Sequence, residues 1–350
     1  NHRELREELE AKGHVMGSRA DTEVLIHGYE EWGEELLQKL RGMFAFVIWD
    51  KKNKSIFGAR DFFGIKPFYY TIANGNLIYA SEIKAILAHP DVKKEVNPIA
   101  LENYLTFQYS VLEETFFKGI FKLMPAHCFT FKDGKMDIKR YWEPVFEADH
   151  SKSLEEYVDE IDAAMQDSIK AHKVADVEVG SFLSSGVDSS YVAACFHGDK
   201  TFTVGFDYEK YNEIDYAKAL SEKIKIDNYS KLISKKEYWD SIPTVQYHMD
   251  EPLADASAIA LYFVTKTASE QVKTCMSGEG ADELFGGYPL YRQAVWAERW
   301  QKMPRAVRRA LAALLPGCGQ EMGLRSGTEA TAQIAGFAKA VELRCDHLED

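Results

Sequence analysis

The sequence predicts two domains of different fold class, an α+β domain over residues 1–145 and a doubly wound α/β domain over residues 146–350. Three observations lead to this prediction. A chain of 350 residues exceeds what one hydrophobic core usually serves. Its first part carries short aromatic and β-branched runs separated by turn residues, as antiparallel sheets do. Its second part alternates strand-like runs with helical periodicity, as parallel sheets require.

The first domain opens with a helical pattern and continues with strands. Apolar residues recur at helical spacing over residues 22–40, TEVLIHGYEEWGEELLQKL, which predicts one amphipathic helix with Asp21 as its cap. A hairpin is predicted around Asp133 and Gly134. Four further runs predict antiparallel strands, at residues 42–50, 54–61, 67–73 and 77–83.

The second domain begins after EPVFEADHSK, residues 143–152. Ser153 and Glu156 predict a capping box for a first helix. The buried face of that helix is predicted to consist of Leu154, Val158, Ile161, Met165 and Ile169. Strands follow at residues 177–183, 201–206, 228–234 and 272–278, with helices between them at 188–196, 213–224 and 257–271.

Composition excludes several classes of function. No stretch approaches the roughly 18 apolar residues of a membrane span, so no membrane partner is predicted. The chain has 42 basic and 55 acidic residues, and its net charge of -13 argues against nucleic acid and for a small-molecule partner. The five cysteines are odd in number and form no CxxC pair, which is typical of a reducing, cytoplasmic location. The oligomeric state stays open, with a homodimer as one option.

Residues 184–190, SSGVDSS, follow a predicted strand and open a predicted helix. Ligands of parallel α/β sheets bind at the carboxyl ends of strands, and the exposed amides of a helix N-terminus favour anions. Gly186 allows close approach of the backbone, and the serine hydroxyls can donate further hydrogen bonds. The run lacks the lysine of the GxxxxGK[ST] loop, which argues against transfer of a γ-phosphate. A plain turn whose Ser or Asp caps the helix is the alternative.

A second polar run, SGEGADE at residues 277–283, ends another predicted strand. The ends of two strands in one sheet can face a single crevice. Asp188 and Asp282 would then share a Mg²⁺ on the phosphates, because Mg²⁺ is usually held by one or two carboxylates together with phosphate oxygens and water. Glu279 would remain for proton transfer.

The chain resembles the glutamine-hydrolysing asparagine synthetases over nearly its whole length. RGMFAFVIWD, RDFFGIKPFYY and ASEIKAIL resemble the glutaminase half of that family. FLSSGVDSS and SGEGADELFGGY resemble its pyrophosphatase loop and its second nucleotide-site segment. The resemblance implies a partial Ntn-hydrolase-type glutaminase domain, followed by a partial synthetase domain of the nucleotide α-hydrolase fold.

The resemblance also implies a reaction with ATP and Mg²⁺. The β-carboxylate of aspartate attacks the α-phosphorus of MgATP, giving β-aspartyl-AMP and pyrophosphate. Ammonia released from glutamine then displaces AMP and forms asparagine. The substrates are therefore aspartate, glutamine and ATP.

The family's functional residues carry over to the matching positions. Glu279 matches the glutamate linked to intermediate formation and ammonia attack, while Asp188 and Asp282 match the metal-binding pair. Asp21 matches the aspartate that binds the amino group of glutamine, a role compatible with a helix cap. The expected ATP and pyrophosphate contacts are Leu183, Ser184, Ser185, Gly186, Asp188, Ser189, Ser190, Val204, Ser277 and Gly278.

Two departures from the family pattern lead to expectations. Ser185 and Gly186 stand where the family commonly has two glycines, which adds one hydroxyl. The family's nucleophile is an amino-terminal cysteine, whereas no cysteine lies near the start of this chain, and Asn1 resembles the end of the family's NGEIYN segment. We expect a chain truncated at both ends that, as given, does not hydrolyse glutamine.

Two alternative functions stay open. The first is a related amidotransferase or β-lactam-type synthetase that acts on another carboxylate, although the intact SGEGADE run favours the ordinary synthetases. The second is a non-catalytic nucleotide-binding descendant, against which the presence of Asp188, Glu279 and Asp282 counts. Asp207 and Asp255 are interpreted as surface residues, and Cys195 as a core residue.

Overall fold

A computed structural model describes residues 1–147, 149–207, 212–252, 255, 257–288, 291 and 299–308. These residues form two compact units, which are described separately. The first comprises Asn1–Lys152 with Met249–Pro252, and the second the remainder of the chain. The domain limits 1–145 and 146–350 stay predictions.

The first unit contains five helices and seven strands among its described residues. The helices are α1 (His2–Ala11), α2 (Asp21–Trp32), α3 (Leu36–Lys39), α4 (Ile83–Leu87) and α5 (Pro98–Phe107). The strands are β1 (Ala45–Asp50), β2 (Ser55–Arg60), β3 (Tyr69–Ala73), β4 (Asn76–Ala80), β5 (Phe121–Lys122), β6 (His127–Lys132) and β7 (Lys135–Arg140). All pairings are antiparallel, within one sheet of order β1-β2-β6-β7 and another of order β4-β3-β5.

The two sheets pack face to face between helices. Tyr70 of β3 and Phe129 of β6 belong to the apolar cluster between the sheets. On the outer face of the first sheet, Leu37 of α3 packs with Phe57 of β2. On the outer face of the second, Ile86 of α4 packs in a cluster with Ile78 of β4. The unit is therefore a four-layer αββα sandwich, the layering that an Ntn-hydrolase-type domain requires.

The single helix predicted over residues 22–40 is wrong, because the segment breaks at Gly33. Helix α2 ends at Trp32, a 3₁₀ turn covers Gly33–Glu35, and α3 resumes at Leu36. Gly33 has a φ of 58°, a left-handed conformation that interrupts a helix and that glycine adopts at little cost. Apolar periodicity continues across the break because α2 and α3 cover the same core.

Local turn chemistry predicts the hairpin at Asp133 and Gly134 correctly. Asp133 and Gly134 connect β6 to β7, with φ angles of 51° and 74°. Asn74 and Gly75 connect β3 to β4 in the same manner, at 50° and 78°. Two consecutive residues with positive φ match the right-handed twist of the flanking strands.

The second unit is built on a parallel sheet. Its helices among the described residues are α6 (Leu154–His172), α7 (Val187–Phe196), α8 (Ile214–Ile224), α9 (Lys235–Met249), α10 (Ser257–Ser269) and α11 (Ala281–Phe285). Its strands are β8 (Val179–Phe182), β9 (Lys200–Phe206), β10 (Asp227–Ile233) and β11 (Thr274–Met276), in the spatial order β10-β9-β8-β11. Every pairing in this sheet is parallel.

Helices cover both faces of this sheet, as the doubly wound prediction requires. On one face, Phe202 of β9 packs against Val264 of α10. A separate cluster joins Leu183, which follows β8, to Ala193 of α7 and Ala217 of α8. The apolar residues of the strands are therefore divided between two helix-covered faces.

The helix α6 starts as predicted but does not bury its predicted face. Ser153 and Glu156 form both hydrogen bonds of the capping box. Ile169 is buried, whereas Leu154, Val158 and Ile161 are exposed among the described residues. The predicted buried face is therefore correct at its C-terminal end and wrong at its N-terminal end, since α6 packs through Ile169 onto α7 and β8.

Candidate functional site

The two polar runs follow neighbouring strands of the parallel sheet. β8 leads into SSGVDSS and β11 leads into SGEGADE, and the two strands pair in parallel, with Met276 opposite Ser181. From β8 the chain proceeds to β9 and β10 on one side and returns to β11 on the other. The carboxyl ends of β8 and β11 therefore flank the topological switch point, where α/β sheets bind their ligands.

Hydrogen bonds of its own side chains hold the SSGVDSS loop. The Ser189 hydroxyl accepts the Ser184 N–H at 3.1 Å and donates to the Gly186 carbonyl at 3.2 Å. The Ser184 hydroxyl lies 2.9 Å from that of Ser189 and accepts the Gly186 N–H at 3.1 Å. The Ser190 hydroxyl donates to the Gly186 carbonyl at 2.7 Å. The serines therefore fix the shape of the turn that leads into α7.

The SGEGADE loop lies directly against the SSGVDSS loop. A Cβ atom on Gly278 would lie 2.9 Å from the backbone nitrogen of Ser189 and 3.0 Å from the Cβ of Asp188. Only glycine allows that approach, because real Cβ contacts to backbone are longer. The Ser277 hydroxyl accepts the Glu279 N–H at 3.3 Å, and the Asp282 carbonyl accepts the Gly287 N–H at 2.9 Å. The two runs thus form one continuous surface.

A cleft of about 610 Å³ opens between these loops and α10. Its lining combines serines, glycines, carboxylates and one tyrosine with apolar side chains. The polar residues and glycines are Ser184, Gly186, Asp188, Ser189, Glu213, Ser257, Ser277, Gly278, Glu279, Gly280, Asp282, Glu283 and Tyr288. The apolar residues are Phe182, Leu183, Phe202, Val204, Phe206, Ala260, Leu261 and Val264. Such a combination suits a ligand with a flat apolar part and a charged polar part.

The cleft is acidic. Asp188, Glu213, Glu279, Asp282 and Glu283 line it, whereas no lysine or arginine does so among the residues that the structure describes. A polyphosphate would be repelled by five carboxylates unless cations accompanied it. The donor set therefore fits a magnesium ion, which prefers carboxylate and phosphate oxygens.

Most of the sequence-predicted ATP residues line this cleft. They are Leu183, Ser184, Gly186, Asp188, Ser189, Val204, Ser277 and Gly278, and Glu279 and Asp282 lie beside them. Ser185 and Ser190 belong to the same loop but are not part of the lining. Asp207 is exposed and not part of the lining, and Asp255 accepts the Ser257 N–H at 2.8 Å.

Asp21 lies in the first unit, as the first residue of α2. Ala20 holds the cap position and no side chain caps the helix, so the predicted cap at Asp21 is wrong. Asp21 instead accepts the adjacent Thr22 N–H at 2.8 Å. The turn before Asp21 is held by Glu23, which accepts the N–H of Gly17 at 2.6 Å and that of Ser18 at 2.8 Å. These hydrogen bonds lower the pKa of Glu23. The position of Asp21 is therefore fixed locally.

Sequence reasoning missed Glu213 and Tyr288. Glu213 accepts the Ser185 N–H at 3.0 Å and so occupies an amide of the SSGVDSS loop. Glu213 lies just before α8, near the carboxyl end of β9. Because ligands of α/β sheets bind at the carboxyl ends of strands, this position could have been predicted from the sequence. The Tyr288 hydroxyl donates to Glu283 at 2.9 Å, and this hydrogen bond raises the pKa of Tyr288 to about 12.

The described cysteines are structural. Cys128 is buried in the first unit, and burial raises the pKa of its thiol to about 11. Burial also raises the pKa of Cys275 to about 11. Cys195 is half-buried beside the cluster of Ile169 and Phe196, at the edge of the core for which it was predicted. Thiols with a pKa of about 11 are poor nucleophiles at neutral pH, because very little thiolate is present.

Within the part of the chain that the structure describes, every helix is too short or too polar to cross a bilayer.

Comparison with known families supports both units. A family model described as glutamine amidotransferase domain matches residues 1–142. A second, described as asparagine synthase, matches residues 160–342 and so covers more than half of the chain. The chain belongs to the asparagine synthase family. The expected fold class, a glutamine amidotransferase domain of Ntn type followed by a doubly wound synthetase domain, is confirmed by these matches together with the two sheets.

Proteins named as asparagine synthetases resemble the chain over most of its length. Asparagine synthetase [glutamine-hydrolyzing] 1 of Bacillus subtilis is 42% identical over 325 residues, which are 90% of this chain and 51% of that protein. A putative asparagine synthetase of Mycobacterium tuberculosis H37Rv is 39% identical, over 89% of this chain and 50% of that protein. Asparagine synthetase [glutamine-hydrolyzing] 3 of B. subtilis is 36% identical, over 84% of this chain and 51% of that protein. The chain thus spans about half the length of these relatives.

Proposed function

We propose that the protein catalyses the ATP-dependent amidation of aspartate to asparagine with ammonia from glutamine, through β-aspartyl-AMP, releasing AMP and pyrophosphate. One observation carries the proposal. SSGVDSS and SGEGADE converge on one acidic cleft at the switch point of a parallel sheet, in a chain of the asparagine synthase family. Family membership supports ATP as a substrate, and the cleft offers a binding site for it.

The apolar side chains of the cleft would hold the adenine base. Phe182, Val204, Leu261 and Val264 line the cleft, and a flat base can pack against such side chains. Leu183, which directly follows β8, also lines the cleft and is 3% exposed. The phosphates would then lie beside the serine hydroxyls of the same cleft.

The SSGVDSS loop would bind the leaving pyrophosphate. Ser184, Ser185, Gly186, Ser189 and Ser190 supply hydroxyls and amides next to the N-terminus of α7, whose dipole favours an anion. Glu213 accepts the Ser185 N–H at 3.0 Å. Binding of pyrophosphate would replace one anionic acceptor by another at this amide.

Asp188 and Asp282 would hold a magnesium ion in the cleft. When bound, Mg²⁺ offsets the phosphate charge and stabilises the departing pyrophosphate. Glu279 is exposed on the SGEGADE loop and can hold or accept a proton as ammonia attacks. Ser277 orients the loop at that residue through the Glu279 N–H. Asp21, fixed at the start of α2, would bind the amino group of glutamine.

The proposal is tested with the full-length protein, MgATP, aspartate and glutamine labelled with ¹⁵N in its amide. We expect labelled asparagine by mass spectrometry, with equal amounts of AMP and pyrophosphate. Cleavage of ATP to AMP only with another acid would reject aspartate as the acceptor and favour the related-synthetase alternative. Absence of ATP cleavage with every acid tested would favour the non-catalytic alternative. A cytoplasmic location and a homodimer stay predictions from the sequence.

A further inference from the structure

Two histidines and a glutamate of the first unit converge on one point, and none of them lines the proposed ATP cleft. The Nδ1 atoms of His14 and His27 lie 3.1 Å apart, and Glu30 places a carboxylate oxygen 3.5 Å from the Nδ1 of His27. All three ligand atoms lie within 4.8 Å of one another. The planes of the two imidazole rings meet at 81°, in a T-shaped arrangement.

These spacings match those of donors around a single metal ion. Two nitrogens that each lie about 2.1 Å from a tetrahedral zinc ion are about 3.4 Å apart. The two Nδ1 atoms, 3.1 Å apart, and the Glu30 oxygen, 3.5 Å from the Nδ1 of His27, are therefore close to the separations that a zinc ion requires. His27 and Glu30 are three residues apart on α2, so both project from the same face of that helix. His14 comes from the segment that follows α1.

The outer nitrogens of both rings face carboxylates. The Nε2 atom of His14 lies 3.2 Å from a carboxylate oxygen of Glu31, and the Nε2 atom of His27 lies 3.9 Å from one of Glu23. Histidines that bind a metal usually donate their second ring N–H to a carboxylate, which fixes the tautomer and directs the other nitrogen to the ion. Lys12 pairs with Glu31 at 2.9 Å and neutralises that outer carboxylate.

A simple hydrogen bond between the imidazoles would explain only part of this arrangement. It needs one protonated and one unprotonated Nδ1, and it does not involve the Glu30 carboxylate, which lies 3.5 Å from the Nδ1 of His27. The His14 and His27 side chains are 16% and 20% exposed, whereas Glu30 is 63% exposed. The cluster is therefore open to solvent on the side of Glu30, which gives an ion a path of entry and a place for a water ligand.

We propose that His14, His27 and Glu30 form a binding site for a zinc ion or a similar divalent transition-metal ion. Through His14 the ion fastens the segment between α1 and α2 to α2 itself. Asp21 is the first residue of α2, so the ion stabilises the part of the first unit that carries this residue. The site does not depend on the proposed function, because its ligands lie outside the ATP cleft.

The test uses full-length protein freed of metal with a chelator. Zn²⁺ binding is measured by competition with a chromophoric chelator, and Co²⁺ is used as a probe with visible ligand-field bands. We expect His14→Gln and His27→Gln each to remove one equivalent of bound Zn²⁺ and the Co²⁺ bands. Glu31→Gln is expected to weaken binding by about 10- to 100-fold. His172→Gln, an exposed histidine of α6, is the matched control and keeps the site.

A second measurement needs no variant. Carbethoxylation of the wild-type protein by diethyl pyrocarbonate is mapped by mass spectrometry with and without Zn²⁺. Zn²⁺ is expected to protect His14 and His27 and to leave His172 reactive. The proposal is overturned if His14→Gln and His27→Gln bind as much Zn²⁺ as His172→Gln, or if Zn²⁺ protects neither His14 nor His27 in the wild type.

Discussion

Gly278 lies so close to Ser189 that a Cβ atom on the glycine would come within 2.9 Å of the serine's backbone nitrogen. The two residues are far apart in the sequence and belong to loops that follow adjacent strands. Their approach joins SSGVDSS and SGEGADE into one wall of the cleft. The absence of a side chain at position 278 is thus a condition for the geometry of the whole site.

Gly278→Ala should therefore damage ATP use more than stability. The added methyl group meets backbone atoms of Asp188 and Ser189, which cannot rotate away as a side chain would. Overpacking of this kind costs about 1–3 kcal/mol, which we expect to appear as displacement of one loop from the other. The measurement is kcat/KM for ATP in ammonia-dependent, aspartate-dependent release of pyrophosphate, and we expect a loss of about tenfold or more.

Gly119→Ala serves as the control for Gly278→Ala. Gly119 lies in the first unit with a φ of 74°, and a Cβ atom added to it would have no neighbouring atom within 4 Å. Gly119 is not part of the cleft lining, and its substitution strains the backbone by about 1 kcal/mol. Equal losses of kcat/KM in both variants would show that the contact with Ser189 is not the cause.

Asp282→Asn and Asp188→Asn should raise the concentration of Mg²⁺ needed for half-maximal activity. Each change removes one charge from an acidic cleft whose proposed ion is held by these carboxylates. Loss of a charged ligand is worth at least about 1.5 kcal/mol, so we expect a shift of about tenfold or more. Asp207→Asn is the matched control, because Asp207 is exposed and not part of the cleft lining. A Mg²⁺ titration in which all three variants coincide with the wild type would reject the assignment.

Glu213→Gln should tighten inhibition by pyrophosphate. Glu213 accepts the Ser185 N–H at 3.0 Å, where a phosphate oxygen would also bind. Glutamine keeps a carbonyl acceptor but loses the negative charge that opposes an anion. The inhibition constant of pyrophosphate is expected to fall severalfold, whereas Glu222→Gln on the exposed side of α8 leaves it unchanged. A weaker inhibition in Glu213→Gln would instead make Glu213 part of the productive phosphate site.

Structural features that depend on adjacent residues are predicted correctly from the sequence. Features that depend on residues distant in the sequence are not. The turn at Asp133 and Gly134 and the capping box at Ser153 are set by a few adjacent side chains, and both are correct. The exposed Val158 was predicted to be buried, because an apolar stripe does not reveal which element covers it. Periodicity likewise does not reveal the left-handed φ of Gly33.

In the candidate site, too, features set by adjacent residues are predicted and features set by distant residues are missed. Asp188 and Glu279 were found because polar residues at strand ends indicate ligand sites. That β8 and β11 are adjacent follows from the order of strands, which a single sequence leaves open. Glu213 was missed because its role depends on a hydrogen bond to Ser185 in a different loop.

The thiols of Cys128 and Cys275 should react slowly with iodoacetamide. Burial raises the pKa of each from 9.0 to about 11, so each has about a hundredfold less thiolate at pH 8 than an ordinary cysteine. The fold favours the neutral thiols, so their contribution to stability is fully present below pH 9 and is lost as the pH rises to about 11. Mass spectrometry should find half-buried Cys195 alkylated before either. Faster alkylation of Cys128 than of Cys195 in the native protein would contradict this order.

Asp250→Ala should loosen the start of α4. Asp250 accepts the Ile83 N–H at 2.6 Å and pairs with the Lys84 ammonium at 2.8 Å, and its side chain is 7% exposed. Loss of both interactions at a buried position is worth about 2–4 kcal/mol. Hydrogen exchange of residues 82–87, measured by mass spectrometry, should accelerate by roughly one to three orders of magnitude. Asp250→Asn should cost less, because asparagine keeps an acceptor for Ile83 and tolerates the φ of 62° at this position.

Asp240→Asn is the control for this prediction. Asp240 pairs with Lys236 on the exposed surface of α9, where an ion pair contributes about 0–1 kcal/mol. Exchange at residues 82–87 should stay at the wild-type rate in Asp240→Asn. If Asp250→Ala also left that rate unchanged, α4 would be held by the packing of Ile83 and Ile86 alone, and the Asp250 contacts would add no measurable stability.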